Sequence, residues 1–329
     1  MGRFIFKRTL LSIIILFFVM FIVYFLIHSL PTSYIETVAR QLATRPGNMK
    51  SVEQWMADLN ATYGLSDNVF TGYFVWLGKA FKGDFGDSWY YSIPVVEEFK
   101  KVIWNSFYLG IAALLIEVLV AIPLGVISAR KQYSLTDYSV TVTALIGISL
   151  PTFFVATLLK LVFSIKLNWF DISGMVSRNY ISMTDTQQFF DKAWHFVLPI
   201  ITLTVVGIGG LMRYTRTNML EVLNSDYIRT ARAKGLSERK VINRHAFRNT
   251  LIPIVTILGG SLPGLFAGAL ITETLFAIEG IGFASYHAMV AGDIPFTMFY
   301  LSFMSILTLL GNFISDILYA VVDPRVRIN

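Results

Sequence analysis

The residues richest in polar chemistry form one run, Asp226-Tyr-Ile-Arg-Thr-Ala-Arg-Ala-Lys-Gly235, continued by Leu-Ser-Glu-Arg-Lys-Val-Ile-Asn-Arg-His245. It gathers acids, guanidiniums, hydroxyls and a phenol between two apolar runs of membrane length. Such a segment cannot enter lipid, because ionised side chains there are expensive. Its chemistry is therefore recognition, charge and hydrogen bonding offered to a partner at a surface. Catalytic chemistry finds little support elsewhere. There is no cysteine, which excludes disulfides, thiol nucleophiles and Cys-ligated metals. The four histidines, His28, His195, His245 and His287, include no pair at His-Glu-x-x-His spacing. Asp84 and Asp87 sit in Gly83-Asp-Phe-Gly-Asp-Ser88, which reads as a tight turn; the ligand spacing and later Glu of a calcium loop are missing. No Gly-x-x-x-x-Gly-Lys-Ser/Thr loop exists to cradle phosphates, and no nucleophile elbow is visible. An intramembrane enzyme is accordingly disfavoured.

The polar run carries its own punctuation. Ser225 is a good N-cap, and Asp226 follows in the first turn, where the helix dipole favours an anion. Arg232 and Lys234 occupy the last turn, and Gly235 suits the left-handed position that ends a helix. The spacing predicts a short helix over 226–234. Ser237 then caps a second helix, with Leu236 and Val241 placed as a hydrophobic staple. On the first helix Tyr227, Ile228 and Ala231 share one flank, while Arg229, Arg232 and Ala233 point elsewhere. Ala231 and Ala233 keep the surface thin enough for another backbone to approach. Two readings fit: a short helix lying in a partner's groove, or a basic loop resting on anionic lipid. Careful capping favours the first, because lipid attraction needs charge but no fixed geometry.

The elements that position this run follow from composition. Of 329 residues 55% are hydrophobic and only 15% charged, with a mean hydropathy of +0.61. Soluble domains carry roughly a quarter charged residues. The fold class expected is an all-α polytopic membrane protein with six transmembrane helices, near 9–29, 102–128, 138–163, 196–213, 251–275 and 298–321. The fourth is expected to be the shortest and is rich in glycine. The alternation of barrel strands is absent. The first apolar run is about twice the usual ~7–15 residues of a signal-peptide core and lacks a small-x-small cleavage site, so it reads as a retained helix. The formal charge of +6 marks cytoplasmic loops and gives no reason to invoke nucleic acid. Arg3, Lys7, Arg8, Arg130, Lys131, the basic polar run, Arg325 and Arg327 fall on one side, which places both termini in the cytoplasm. The expected organisation is a first helix over 1–30 and a small extracytoplasmic insert over 31–101. A five-helix core covers 102–322, with the polar loop at 219–250, and a tail covers 323–329. The insert holds Trp55, Tyr63, Phe70, Tyr73, Phe74, Trp76, Phe81, Phe85, Trp89 and Tyr90, enough aromatic surface to fold around.

Within the apolar runs, Gly260, Gly264 and Gly268 recur every fourth residue beside Pro263, predicting a small-residue face for close helix approach, either within the chain or against another subunit. Glu117, Lys160, Glu273 and Asp316 are ionisable residues in or near spans and should face a cavity or a partner. Glu117 is the deepest and the best candidate for a pore or structural polar contact. Glu273 and Asp316 are expected near the membrane interface, as are His195 and His287. No repeat of solenoid period is evident, and no halves with matched broken helices. That lowers the standing of a stand-alone channel or secondary carrier.

The hairpin resembles the EAA loop of ABC importer permeases, in the form found in the B-type subunit of oligopeptide and dipeptide importers. Arg229-Thr230-Ala231 stand where the Glu-Ala-Ala triplet is found, ahead of Gly235. The resemblance runs along nearly the whole chain: Tyr63-Gly-Leu, Gly83-Asp-Phe-Gly, Ile93-Pro-Val, Ile122-Pro-Leu-Gly, Ser149-Leu-Pro, Glu273-Thr-Leu-Phe, Gly280-Ile-Gly and Asp323-Pro-Arg-Val-Arg. The chain departs from the pattern where the triplet lacks its acid, where Pro31-Thr-Ser replaces Pro-Gly-Asp-Pro, and at Glu279, where proline is common. The resemblance implies a type-1 transmembrane domain in a multi-pass subunit of a prokaryotic cytoplasmic membrane, with no enzyme activity of its own. It implies a second related permease in a heterodimer, two ATPase subunits that bind the ATP and Mg, and an extracellular or lipid-anchored binding protein that delivers peptide. No cofactor is expected in this chain. The implied coupling helix uses Tyr227, Arg229, Thr230, Ala231, Ala233 and Gly235 at the motor contact. Nickel, glutathione and other small solutes are carried by the same permease type and remain alternatives.

Overall fold

Long apolar runs ended by prolines, glycines and hydroxyl caps produce a helical chain, with no strand longer than an isolated bridge among the described residues. The computed structural model describes residues 2–29, 32–44, 46–47, 49–63 and 68–322. Pro31, Gly64, Leu65 and the tail 323–329, with Arg325 and Arg327, lie outside the described residues. Among the described residues, four helices are long and apolar enough to cross a membrane: Phe6–Ile27, Val95–Arg130, Asp185–Leu223 and Ile294–Leu318. Two bent pairs, Leu135–Ser149 with Thr152–Lys166 and Glu238–Gly260 with Leu262–Phe276, raise the number to six if each pair is one span.

The chain divides into two compact units. One comprises residues 2–102 and 284–310. Here helix α1 (Gly2–His28) is followed by three short helices, α2 (Thr32–Ala43), α3 (Val52–Tyr63) and α4 (Val69–Ala80). Their core is Tyr24, Val38, Ala39, Leu42, Leu59, Tyr73 and Trp76, joined by Ile294 and Met298. The insert is therefore not a separate globule; it shares its core with the first helix and with the start of the last. The aromatic residues divide accordingly. Tyr73 and Trp76 are buried, whereas Phe70, Phe74, Phe81 and Tyr90 stay exposed. The turn predicted at Gly83-Asp84-Phe85-Gly86 forms, with both glycines at positive φ and the Gly86 N–H donating to Asp84 Oδ1 at 3.1 Å. Asp293 ties the turn region down. It accepts the Ser88 hydroxyl and the Tyr90 N–H (3.0 Å), and it caps the last helix through the Phe296 N–H (3.1 Å).

The other unit comprises residues 103–283 and 311 onward. It contains most of α5 (Val95–Arg130), then α6 (Leu135–Ser149), α7 (Thr152–Leu159), α8 (Asp185–Leu223), α9 (Asp226–Ala233), α10 (Glu238–Lys240), α11 (Phe247–Gly260), α12 (Leu262–Phe266) and α13 (Leu270–Phe276). Helices α14 (Ile281–Val290) and α15 (Ile294–Val322) contribute to both units. One sequence expectation is corrected here, and two other expected spans prove to be bent. The third span is not straight: α6 and α7 meet at 100°, because the proline ring of Pro151 pushes Leu150 out of the helical region to φ −81, ψ 127. The fourth is the longest helix, 39 residues, not the shortest. Hydropathy reports only its apolar centre, whereas a Thr184–Gln187 capping box starts it within polar sequence. The fifth is interrupted at Ser261 and again at 267–269, where Gly268 takes φ +77.

Candidate functional site

Local sequence builds the hairpin. Helix α9 starts where Ser225 adopts the extended N-cap conformation, and the Ser225 carbonyl accepts the Ile228 and Arg229 N–H groups. The predicted side-chain cap is not made: the Ser225 hydroxyl turns back and donates to the Val222 carbonyl at 2.6 Å. The end of the helix forms as read. Gly235 sits at φ +76, its N–H donates to Arg232 O (2.9 Å), and the Leu236 N–H donates to Ala231 O (3.4 Å), the Schellman pattern. Arg232 then grips Glu238 across the elbow with two bonds, Nη2 to Oε1 at 2.8 Å and Nε to Oε2 at 3.2 Å. That fork holds the Glu238 carboxyl below its usual range and raises the Arg232 guanidinium. Beyond it, residues Val241–Ala246 wind as a π-helix that leads into α11.

The hairpin is seated on its own chain. Ile228, Ala231, Val241, Ile242 and Ala246 are buried together with Met219 from α8 and Ala129 from the last turn of α5. This corrects the expected flank. Ile228 and Ala231 point into that cluster, while Tyr227, one residue round the helix, is 47% exposed. Ala231 therefore shapes the seat and does not present itself outward. The outward face of α9 and its C-terminal turn carry Asp226, Tyr227, Arg229, Thr230, Ala233, Lys234 and Gly235. Tyr227 is held in place by Asn249, whose amide donates to the phenol oxygen at 3.2 Å and to His245 O at 2.9 Å. Arg229 approaches Asp226 at 3.6 Å with both side chains exposed, a pair that adds little stability. The result is a preformed polar knob with one phenol at its centre.

The remaining predicted residues scatter. Gly260 and Gly264 meet nothing where a Cβ would stand, whereas Gly268 lies outside the helices, against the backbone of Gly282. The three do not form one helical face, because the span breaks between them. Glu117 is half-buried on α5, and a Cβ at Gly207 of α8 would fall 2.5 Å from its Oε2. Asp316 is half-buried on α15. Glu273 is not near water: it is fully buried and accepts the Ser106 hydroxyl (2.6 Å), the Ala269 N–H (3.0 Å) and the Phe283 N–H (2.8 Å). Lys160 reaches the Leu275 carbonyl at 2.5 Å. The His195 side chain is 4% exposed, with Nδ1 2.8 Å from Asp191 O and Nε2 3.0 Å from Asp171. His287 is half-buried, its ring 6.5 Å from that of Tyr90. No group of His, Asp and Glu suited to a metal occurs among the described residues.

Sequence reasoning missed an ion pair beside the seat, between buried Asp137 at the start of α6 and partly buried Arg216 on α8. The available signal was an arginine nearly three turns before the polar run together with an acid just after a Ser134 cap.

Comparison with known proteins is consistent along the chain. The family model described as binding-protein-dependent transport system inner membrane component matches residues 121–328, which include the hairpin. The chain is similar to the oligopeptide transport system permease protein AppB of Bacillus subtilis (strain 168), 35% identical over 328 residues, covering 99% of this chain and 100% of that protein. It is similar to the dipeptide transport system permease protein DppB of Lactococcus lactis subsp. cremoris (strain MG1363), 33% identical over 329 residues and 100% of both chains. The DppB of Escherichia coli (strain K12) is 35% identical over 288 residues, 82% of this chain and 85% of its own.

Proposed function

Because the chain belongs to the family of binding-protein-dependent transport system inner membrane components, we propose that it is the pore-forming permease subunit of an ATP-driven ABC importer for peptides. Relatives that align over nearly the whole chain are oligopeptide and dipeptide permeases, and that supports peptide as cargo. The observation that carries the mechanism is the seated hairpin. Short helix α9 is fixed from behind by apolar packing and offers Tyr227, Arg229, Thr230 and Ala233 outward. Gly235 lets the chain turn away immediately after it. A knob of this kind fits a groove on a separate ATPase subunit, so that movement of the motor is passed to α8 and α11, the helices at its two ends.

In this reading the chain forms six spans with both termini in the cytoplasm of a prokaryote, and residues 31–101 lie outside. A second, related permease completes the channel. Gly260 and Gly264, open on their Cβ sides, suit close approach of that partner. Two ATPase subunits bind ATP and Mg, a binding protein delivers the peptide, and this chain needs no cofactor.

The test is reconstitution. Cysteines replacing Tyr227 and Thr230 in this cysteine-free chain should crosslink to the ATPase subunit, and peptide uptake should require ATP and all partners. Crosslinks to lipid alone, or uptake driven by an ion gradient without an ATPase subunit, would overturn the proposal.

A further inference from the structure

Next to the hairpin's seat, on the same helices, lies an ionic cluster built on a buried carboxylate and a partly buried guanidinium. Asp137, in the first turn of α6, is 3% exposed. Its carboxylate takes both arms of the Arg216 guanidinium, Nε to Oδ1 and Nη2 to Oδ2, each at 2.8 Å. It also accepts the Ser128 hydroxyl from the last turns of α5 and the Tyr133 N–H at 3.0 Å. Arg216 Nε donates again to Ser128 Oγ at 3.1 Å. One carboxylate therefore joins α5, α6 and α8 together with the connection between α5 and α6.

Two features set this cluster apart from ordinary packing. First, an ion pair whose carboxylate is buried is a poor way to gain stability, since apolar residues of like volume do as well or better. What such a pair supplies is a fixed register. Second, Tyr133 sits at φ +65, a left-handed conformation that a bulky L-residue rarely adopts. Its strained peptide N–H is the one aimed at Asp137. Backbone strain of this kind persists only where surrounding structure over-determines it.

The position gives the cluster its meaning. Ser128 precedes Ala129, and Arg216 precedes Met219 by one turn. Ala129 and Met219 are buried in the cluster that holds Ile228 and Ala231, and Val126 of α5 and Leu220, Val222 and Leu223 of α8 pack against it. The ionic layer and the apolar seat are thus consecutive layers of the same helices. We infer that Arg216, Asp137 and Ser128 are positioning residues that lock α5, α6 and α8 into one body beneath the hairpin, so that a displacement of α9 moves all three helices together. This rests on the reading of the hairpin as the motor contact. With the cluster open, the motor would still bind, and α9 would shift on its seat without carrying the helices along.

The experiment uses the whole reconstituted complex with its ATPase subunits and binding protein. Asp137→Asn, Arg216→Gln and their combination are compared for ATP consumed per peptide imported and for hydrogen exchange of residues 226–234. Each single variant should raise the ATP-to-peptide ratio and lower α9 protection by about tenfold, the scale of one lost charge-assisted hydrogen bond. The combination should be no worse than either single, since both break the same contact. Ser128→Ala and Arg216→Lys, which keep the pair's charges, should give intermediate ratios; they carry the test if the first variants fail to reach the membrane. An unchanged ratio in variants that assemble would overturn the inference, as would protection lost uniformly through the chain. If Tyr227→Cys fails to crosslink to the ATPase subunit in the otherwise unaltered chain, the motor-contact reading fails. If that crosslink forms and the ratio does not move, only the clamp fails.

Discussion

Replacing Ala231 by Asp and Gly235 by Ala should have very different consequences, although the two positions are four residues apart. The seat of α9 is built from Ile228 and Val241, each 0% exposed, and Ile242 at 3%. Full burial of each such side chain contributes about 2 kcal/mol, so the three hold the hairpin with ~6 kcal/mol as an upper bound. Ala231, at 8% exposed, points into the same cluster. An aspartate there meets no cation among the cluster residues, and burying an unpaired carboxylate costs several kcal/mol, roughly the whole seat. At Gly235 a Cβ would meet nothing within 4 Å, so alanine adds only the strain of φ +76. That strain is about 1–2 kcal/mol. Ala231→Asp should therefore unfold α9, speed trypsin cleavage at Arg229, Arg232 and Lys234, which are already on the surface, abolish α9 amide protection and stop peptide uptake. Gly235→Ala should lower protection by roughly tenfold and keep most uptake. The measurements are limited proteolysis and hydrogen exchange on the purified complex, with uptake in vesicles. Wild-type protection in Ala231→Asp would refute the seat, and equal damage from both variants would refute the assignment of the Gly235 effect to strain alone.

Tyr227→Ala and Arg229→Ala remove outward groups, so each should change stability by no more than about 0.5 kcal/mol while lowering uptake; parallel thermal melts and uptake assays separate the two effects. The Arg232–Glu238 fork should show in a pH series. Arg232 depresses the folded Glu238 pKa, so the contribution is present above the unfolded carboxyl value, near ~4.3, and is lost as pH falls through the folded value. Both side chains are about half exposed, so the effect is below about 1 kcal/mol; hydrogen exchange of residues 234–238 above and below that window should register it, and Glu238→Gln should remove the dependence. Among the glycines, Gly311→Ala should destabilise the chain, because its Cβ would meet Pro263 Cδ at 2.8 Å. Such overpacking costs about 1–3 kcal/mol. Gly260→Ala meets nothing within this chain and should leave its melting unchanged, while weakening assembly with a second permease if that face is shared. A melting loss in Gly260→Ala equal to that in Gly311→Ala would contradict the packing described.

The hairpin was legible because its ends are local chemistry. An Asp in the first turn, a glycine at the left-handed position and polar sequence between apolar runs are readable residue by residue, and α9 runs from Asp226 to Ala233 with Gly235 in place. The Ser225 hydroxyl was not legible, because it donates to the Val222 carbonyl three residues upstream instead of accepting an N–H of α9. Leu150-Pro151 carried a break signal that continuous hydropathy concealed. The burial of Glu273 depended on donors from Ser106 and Phe283, which its own helix does not contain.

Sequence alone determined that the chain is an apolar, helical, multi-span protein, and where its polar hairpin begins and turns. Those properties depend on run length and on contacts within a few residues. Which side of α9 faces outward was decided by tertiary structure, since Ala129 and Met219 had to arrive from α5 and α8 to cover Ile228 and Ala231. The same holds for the Asp137–Arg216 pair, 79 residues apart along the chain. Burial and charge pairing are properties of two surfaces, and one stretch of sequence describes only one of them.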